Sequence, residues 1–253
     1  MQDVLSGFAP ISLSEMGDIR LMNRTDTKYV ISIHLLPVIL EMAQNEYYVQ
    51  EVNEERNPEY HTIYFDTPEK EMFVIHQNGK RVREKIRVRT YVASGITFLE
   101  VKDKNNKGRT NKKRIQIKAP ETLVRDGGEE FLRSHSWYEL SQLSQHLENR
   151  FQRITLVNKK KTERLTIDTN IQFYNFCTEL RANLADVAII ELKRDGRAVS
   201  PMYQILHDLR IRPVGISKYC TGAVLTNPYL KYNRFKPKMR QVERIKQNYR
   251  LTY

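Results

Sequence analysis

The strongest constraint on the fold is the segment RVREKIRVRTY at residues 81–91, because its side chains alternate in character. Every second residue from 81 to 89 is a lysine or an arginine, and Val82, Ile86 and Val88 lie between them. Successive side chains of a β-strand point to opposite faces of the sheet. The segment therefore predicts a strand with one cationic face, whose repelling charges require a counter-charge from another group.

Several further segments carry the same alternation. Glu100 and Lys102 fall on one face of the next predicted strand, and Leu99 and Val101 fall on the other. The charged residues of the remaining alternating segments are Lys112, Arg114, Arg164, Glu191 and Lys193. Enrichment in β-branched and aromatic residues predicts strands over residues 28–33, 60–65, 82–91, 97–101, 111–117, 154–157, 163–167, 171–173 and 187–193. Consecutive strands thus share one polar, mostly cationic face and one apolar face.

Helices are predicted between these strands, where capping residues or apolar spacing give start signals. They cover residues 35–44, 66–75, 137–147 and 200–209. This mixture predicts an α+β fold, here an antiparallel β-barrel tunnel of about eight strands with helices packed outside. We expect one domain over residues 1–227 and a basic C-terminal tail over residues 228–253, which holds eight basic residues and one acidic residue.

Two interpretations of the charged faces are open at this point. In the first, the apolar faces form the core and the charges are solvated. In the second, the charged faces point inward and the helices cover the apolar faces outside. Because buried unpaired charge is costly, the second arrangement requires a polyanion in the interior. Arginine suits that role because it binds phosphate oxygens bidentately, and lysine supplies point charge.

Glu100 and Glu191 stand among these cations, and two roles are open for them. Either carboxylate can balance local charge, or it can hold a hard divalent cation, Mn²⁺ or Mg²⁺, together with substrate phosphates. Cations and a metal ion clamped on a phosphate chain are the parts that phosphoryl transfer requires. The second role therefore predicts an enzyme that acts on phosphate groups.

The overall charge and the cysteine content narrow the class of protein. The net charge of +12 favours a polyanionic partner. Cys177 and Cys220 form neither a disulfide framework nor a metal-ligand spacing. The N-terminus lacks the pattern of a secretory signal, and no run of about 18 apolar residues could span a membrane. We expect a cytoplasmic protein, and no nucleic-acid partner, because a basic groove for nucleic acid needs no surrounding ring of strands.

Eight short motifs resemble, in content and order, those of one known family. They are NRTDTKYVI at 23–31, YFDT at 64–67, KIRVRTY at 85–91, FLEVK at 98–102, KKR at 112–114, ERLTIDTNI at 163–171, IIELK at 189–193 and ISKYCTG at 216–222. The family is the VTC (vacuolar transporter chaperone) domain, the polyphosphate polymerase branch of the triphosphate tunnel metalloenzymes. The resemblance spans roughly residues 8–225.

The resemblance implies a tunnel that binds ATP and a polyphosphate or pyrophosphate acceptor, and that uses Mn²⁺ or Mg²⁺ to transfer the terminal phosphoryl group of ATP. The residues that it implies for catalysis are Lys28, Arg87, Arg89, Lys112, Arg114 and Lys218. The residues that we assign to substrate binding are Lys85, Lys102, Arg164 and Lys193. The metal ligand that it implies is Glu191, and Glu100 is our second candidate for that role.

One motif departs from the wider family and bears on the activity. Hydrolytic tunnel enzymes usually begin with ExExK, whereas this chain has RTDTK at residues 24–28 and keeps the lysine but only one acid. This difference favours a polymerase. A tunnel triphosphatase and a non-catalytic module that binds polyphosphate or inositol phosphates stay as alternatives. Because the eukaryotic polymerase domain works beside membrane-spanning partners, the resemblance also allows for a membrane-protein partner.

Overall fold

The computed structural model describes residues 1–17, 24–196 and 198–247, and in these ranges it shows an α+β fold with one large sheet and eight α-helices. The strands are β1 (Ala9–Ile11), β2 (Arg24–Ser32), β3 (Tyr47–Gln50), β4 (Glu59–Asp66), β5 (Arg83–Tyr91), β6 (Ile96–Lys104), β7 (Thr110–Ile117), β8 (Ser144–Asn158), β9 (Glu163–Asn175), β10 (Arg181–Leu184) and β11 (Val187–Asp195). The α-helices are α1 (Gln2–Ser6), α2 (Leu13–Gly17), α3 (Leu36–Ala43), α4 (Glu71–Gln77), α5 (Gly128–His135), α6 (Pro201–Asp208), α7 (Lys218–Thr226) and α8 (Lys236–Gln247).

Eight of the strands follow one hydrogen-bonded, antiparallel path in the order β2-β11-β9-β8-β4-β5-β6-β7. Strand β10 pairs with β9, and β3 pairs with β8 and, in parallel, with β1. Strands β2 and β7 end the path, and no pairing within the described ranges joins them. The predicted closed barrel is therefore not confirmed, since the sheet is open. The side chains of β7 are mostly exposed, which suits a strand whose outer edge meets water rather than another strand.

The register of β5, β6 and β7 separates the charged side chains from the apolar ones. Arg87 lies opposite Glu100, and Glu100 lies opposite Arg114. We call the face that carries these three side chains the inner face and the other face the outer face. Val88 lies opposite Leu99 on the outer face. The charged and apolar residues that alternate in the sequence thus lie on opposite faces of the sheet.

Helices cover the outer face, as predicted, in two clusters. Under one half of the sheet, α1, α3 and α6 pack against Tyr29, Ile154 and Leu165. Under the other half, α5 packs against Val88 and Leu99. Burial of apolar area at about 25 cal/mol per Å² makes these clusters the main source of stability. The apolar faces of the strands therefore form the core outside the charged face.

The inner face is apolar at one end, where α7 and α8 cover it. Val30 of β2 and Phe173 of β9 pack there with Tyr219 of α7 and Val242 of α8. Helix α8 lies in the segment predicted as a basic tail, and residues 248–253 of that segment lie outside the described residues. The charged part of the inner face therefore has a closed apolar end beside it.

Two local predictions differ from the structure. The predicted strands 163–167 and 171–173 are halves of one strand, β9, which contains a bulge where Asn170 has φ +48°. The helix predicted over residues 137–147 is wrong, because a 3₁₀ turn is followed there by β8. Leu143 packs against the outer-face cluster and Leu147 packs on the inner face, so their helical spacing arises from two different surfaces.

Within the described ranges, none of the helices combines the length and the apolar character that crossing a membrane requires.

Candidate functional site

The start of helix α7 is linked to two distant strands of the inner face. Ser217 caps this helix by accepting the backbone N–H of Cys220, and it also accepts a hydrogen bond from Lys85 Nζ at 2.9 Å. The next residue, Lys218, donates to Asp168. Lys85 lies on β5 and Asp168 on β9, with β4 and β8 between them. Two consecutive residues at the start of α7 therefore link strands that lie three strand spacings of ~4.8 Å from one another.

Three carboxylates of the inner face are held between cations, and the first of them is Glu100 on β6. Its Oε2 accepts from Arg87 Nη2 at 2.6 Å, and its Oε1 accepts from Lys112 Nζ at 2.6 Å. The side chain is fully buried. Burial alone would raise the pKa of Glu100, but the charges of Arg87, Arg89 and Lys112 outweigh it and hold the pKa well below its usual range. Glu100 is therefore a fixed anion that orients two cations.

Asp168 on β9 has the same arrangement. Arg153 of β8 donates to it bidentately, with distances of 2.6 Å and 2.8 Å, and Lys218 donates to its Oδ2. Burial opposes ionisation, yet Arg153 and Lys218 lower the pKa of Asp168 to about 2. Lys218 Nζ also lies 4.3 Å from the ring centroid of Phe151. Lys218 is thus fixed on the inner face by a carboxylate and an aromatic ring.

Glu191 on β11 is the third of these carboxylates, and it is only half-buried. Its Oε1 accepts a hydrogen bond from Lys28, which lies directly opposite on β2, and its Oε2 lies 3.7 Å from Lys193 Nζ. Although burial opposes it, Lys193 and Lys28 hold the pKa of Glu191 well below its usual range. Each of the three carboxylates therefore serves two cations, and their own negative charge does not balance the positive charge around them.

Two other inner-face cations, Lys102 and Arg89, form no salt bridge with a carboxylate among the described residues. Lys102 forms no salt bridge there, and the charge of Arg87 together with burial lowers its pKa well below the usual value. Arg89 Nε donates to Thr62 Oγ1 at 3.0 Å, and burial and the charges of Arg87 and Arg153 lower its pKa to about 10. Both side chains are thus buried cations with other cations nearby.

The remaining predicted residues lie on the same face. Arg114 is exposed on edge strand β7, with its guanidinium 4.3 Å from the ring centroid of Phe98. Arg164 of β9 lies opposite Lys193 of β11, and both are half-buried. All of the predicted site residues therefore lie on the inner face or reach it from α7. We call the lysines and arginines of this group, together with Arg153, the cradle.

Sequence reasoning missed Arg153 and Asp168. Arg153 follows Phe151 with a spacing of two on β8, and Ile154 points to the outer-face core. A single arginine on the polar side of a strand gives only a weak signal, although the alternation assigns it to the inner face. Asp168 lies within ERLTIDTNI, with the same parity as Arg164. Their pairing depends on the register between β8 and β9, which becomes visible only in the structure.

The two predicted metal ligands differ in how well they fit a cation. Both oxygens of Glu100 are bound by Arg87 and Lys112, so this carboxylate has no free oxygen for a metal ion. Glu191 is partly exposed, and the contact of its Oε2 with Lys193 is long, at 3.7 Å. No group of three or more His, Cys, Asp and Glu side chains that could hold a metal is found in the described part of the chain. Of the two predicted ligands, Glu191 is therefore the one that fits a divalent cation, and substrate phosphates would complete the shell of the ion.

The family profile of the VTC domain matches residues 23–227, which is most of the chain. The chain belongs to the VTC domain family. The family predicted from the motifs is confirmed, and the cradle lies wholly within the matched VTC domain. No curated protein matches the chain.

This VTC domain is similar to solved structures at low sequence identity. A protein from Bacillus halodurans, provisionally named an adenylate cyclase, is 14% identical with a TM-score of 0.50, and the match covers 78% of this chain and 96% of that chain. A protein from Hippeastrum, provisionally named an adenylyl cyclase and described as having a dominant triphosphatase activity, is 13% identical with a TM-score of 0.45. That match covers 83% of this chain and 100% of the other. The match with the Bacillus halodurans protein, at a TM-score of 0.50, shows a common fold.

Proposed function

We propose that this VTC domain is a metal-dependent phosphotransferase that elongates inorganic polyphosphate with the terminal phosphate of ATP. The observation that carries the proposal is the excess of lysine and arginine on one partly buried face of the sheet. Glu100, Asp168 and Glu191 each already serve two cations, and neither Lys102 nor Arg89 forms a salt bridge with a carboxylate in the described residues. A polyphosphate chain carries negative charge at every unit, and it supplies the missing counter-charge.

The cradle would act by electrostatic stabilisation. A terminal phosphate oxygen of the acceptor chain attacks the γ-phosphorus of ATP, the bond between this phosphorus and the β,γ-bridging oxygen breaks, and ADP leaves with the electron pair. Cations placed where charge develops lower the barrier most. The residues that we expect to hold the reacting phosphates are Lys28, Arg87, Arg89, Lys112, Arg114 and Lys218. The residues that we expect to hold the flanking phosphates are Lys85, Lys102, Arg153, Arg164 and Lys193.

Two carboxylates would support this chemistry in different ways. Glu191 would hold Mn²⁺ or Mg²⁺, and the ion would supply charge neutralisation on the phosphate oxygens. Glu100 would keep Arg87 and Lys112 aimed across the inner face, because its two oxygens hold one cation each. No general base is needed, since the attacking phosphate oxygen is already ionised at neutral pH.

Incubation with ATP and Mn²⁺, with and without a short polyphosphate primer, tests the proposal. We expect ADP to appear together with long-chain polyphosphate, resolved on a gel and degraded by an exopolyphosphatase. Arg89→Met should abolish the product, whereas Lys113→Met, on the outer side of β7, should leave it unchanged. If ADP and orthophosphate accumulate without polymer, the polymerase assignment is wrong and a tunnel triphosphatase is left.

A second candidate is a non-catalytic module that binds polyphosphate or inositol phosphates. One observation favours it: Glu191 is the only predicted metal ligand with room for an ion in the described structure, so metal binding rests on a single carboxylate. This candidate predicts tight binding of tripolyphosphate that Glu191→Gln does not weaken and that proceeds without turnover. Calorimetry combined with an ADP-release assay distinguishes the two functions.

A further inference from the structure

The first turn of helix α7 is tied to the surrounding sheet by three side-chain links. Lys85 donates to Ser217, Lys218 donates to Asp168, and the hydroxyl of Tyr219 donates to Asp66. The first two links use cations of the cradle. The third uses two residues for which the proposed function has assigned no role.

Asp66 is built into the structure as a junction between β4, α4 and α7. Its side chain is fully buried, and its Oδ1 accepts the backbone N–H groups of Thr67 and Met72 at 2.8 Å and 2.9 Å. Its Oδ2 accepts the backbone N–H of Phe73 at 3.0 Å as well as the hydroxyl of Tyr219. The carboxylate therefore holds the first turn of α4 and the first turn of α7 at one point.

Tyr219 is fixed on its other sides too. Its ring is 2% exposed and packs against Tyr64 of β4 with the centroids 5.2 Å apart. Because Lys218 is the adjacent residue, any rotation or shift of this turn moves the Lys218 ammonium relative to the cradle. The position of that ammonium is thus set by the residue that follows it.

Substrate binding would weaken two of the three links and leave the third unchanged. A phosphate chain in the cradle competes with Ser217 for Lys85 and with Asp168 for Lys218, whereas it cannot reach the fully buried Asp66. We infer that Asp66 and Tyr219 are positioning residues that hold Lys218 in place when phosphate draws the other two links away. This inference rests on the proposed function, since it requires that the cradle bind phosphate.

The chain offers a matched control for this hydrogen bond. On the outer face, the hydroxyl of Tyr47 donates to Glu163, and both side chains are fully buried. The pair repeats the tyrosine-to-carboxylate hydrogen bond of Tyr219 and Asp66, and the Tyr47 hydroxyl also accepts the backbone N–H of Met202 at 2.8 Å. Tyr47 packs in the cluster beneath the sheet, away from the cradle. Tyr47→Phe and Tyr219→Phe each remove one buried hydroxyl and keep the ring.

Calorimetric titration of the full chain with tripolyphosphate tests the inference. We expect Tyr219→Phe to weaken binding about tenfold and Tyr47→Phe to weaken it less than about twofold, since a lost hydrogen bond to a charged group amounts to roughly one factor of ten. In a Lys218→Met background, Tyr219→Phe should add less than about twofold, because residues that act through one another are not additive. Equal losses in the two tyrosine variants, or a tenfold loss that persists without Lys218, would overturn the inference.

A second measurement separates this inference from the proposed function. If the wild-type chain binds no tripolyphosphate, the proposed function fails, and amide hydrogen exchange then decides the positioning role without a ligand. We expect Tyr219→Phe to accelerate exchange at Cys220, Thr221 and Gly222, and Tyr47→Phe to leave these amides protected. Unchanged protection of α7 in Tyr219→Phe would show that the bond to Asp66 does not fix this turn, and the inference would be wrong.

Discussion

Buried carboxylates on the two faces of this sheet respond in opposite ways to their surroundings. On the inner face, adjacent cations outweigh burial and lower the pKa of Glu100 and Asp168. On the outer face, burial dominates and raises the pKa of Glu84 and Glu163, whose side-chain partners are the hydroxyl groups of Ser136 and Tyr47.

The difference shows that burial alone does not make a binding site. Each face buries acidic groups, but only the inner face surrounds them with more positive charge than they neutralise. On the outer face, isolated hydrogen bonds from neutral hydroxyl groups satisfy the buried carboxyl groups. The proposed function assigns a negatively charged ligand to the inner face, and the following experiments test that contrast.

The largest expected effect comes from removing a carboxylate charge on the inner face. Glu100→Gln leaves Arg87 buried beside Arg89 without its anion, so we expect the free energy of unfolding to fall by about 3 kcal/mol in urea titrations. Glu84→Gln, on the outer side of β5, removes no cation partner and should change it by less than about 1 kcal/mol. Similar losses in both variants would break the contrast between the faces.

The second effect separates binding from stability. Arg89→Met removes a cation that its neighbours repel, and we expect tripolyphosphate affinity to fall about 30-fold while the free energy of unfolding stays the same or rises. Calorimetry and urea titration of the same preparation measure both quantities. Lys113→Met is the control, because Lys113 contacts His135 on the outer side of β7. A loss of stability without loss of affinity would assign Arg89 to the core.

The third effect is a difference in pH dependence between the faces. The lowered pKa of Asp168 contributes stability that is present above about pH 4 and is lost as the pH falls towards 2. The raised pKa of Glu163 acts with the opposite sign, because the folded state retains a proton above the unfolded value of 4.5 and stability falls as the pH rises through this window. Unfolding titrations from pH 2 to 8 measure both slopes.

Isosteric variants assign these slopes to the two residues. Asp168→Asn should flatten the profile below pH 4, and Glu163→Gln should flatten it above 4.5, each by on the order of 1 kcal/mol. If Glu163→Gln instead destabilises the protein equally at every pH, the carboxylate is ionised in the folded state and the proposed contrast is wrong.

The smallest effect is a proton taken up on binding. Because nearby cations lower the pKa of Lys102, a polyanion that neutralises them should raise it, and binding should take up part of a proton at alkaline pH below 10.5. Calorimetry in buffers of different ionisation enthalpy measures this uptake. Lys102→Met should reduce it and Lys113→Met should not. An uptake that is independent of Lys102 would place the polyanion elsewhere.

The sequence allowed the two faces to be predicted because a strand has a period of two. Once Arg87 was assigned to the inner face, Val88 and Ile86 followed for the outer face, and the structure confirms both. The composition of the predicted site also follows from this rule, since its strand residues share one parity within each strand. Local periodicity therefore carried most of the information on which side chains meet.

What could not be predicted depends on contacts between distant segments. Helix α7 has a weak apolar pattern, and the meeting of Lys218 with Asp168 joins residues that are 50 positions apart. Closure of the sheet is also non-local, because nothing in β2 or β7 alone states whether they pair. The wrongly predicted helix over residues 137–147 shows that local periodicity can also mislead. Its apolar residues pack on two different surfaces, and together they have the spacing of a helix.

The bulge at Asn170 determines which side chains the second half of β9 presents to each face of the sheet. Before Asn170, even-numbered side chains such as Thr166 and Asp168 face the cradle, and after it the odd-numbered Ile171 and Phe173 occupy the same face. The extra residue acts as a frameshift in space rather than in codons. A regular strand that kept Asn170 in the ladder would turn the two apolar side chains outward and bring Gln172 into the apolar end beneath α7, whereas deletion of Asn170 would remove the bulge and leave both side chains on this face.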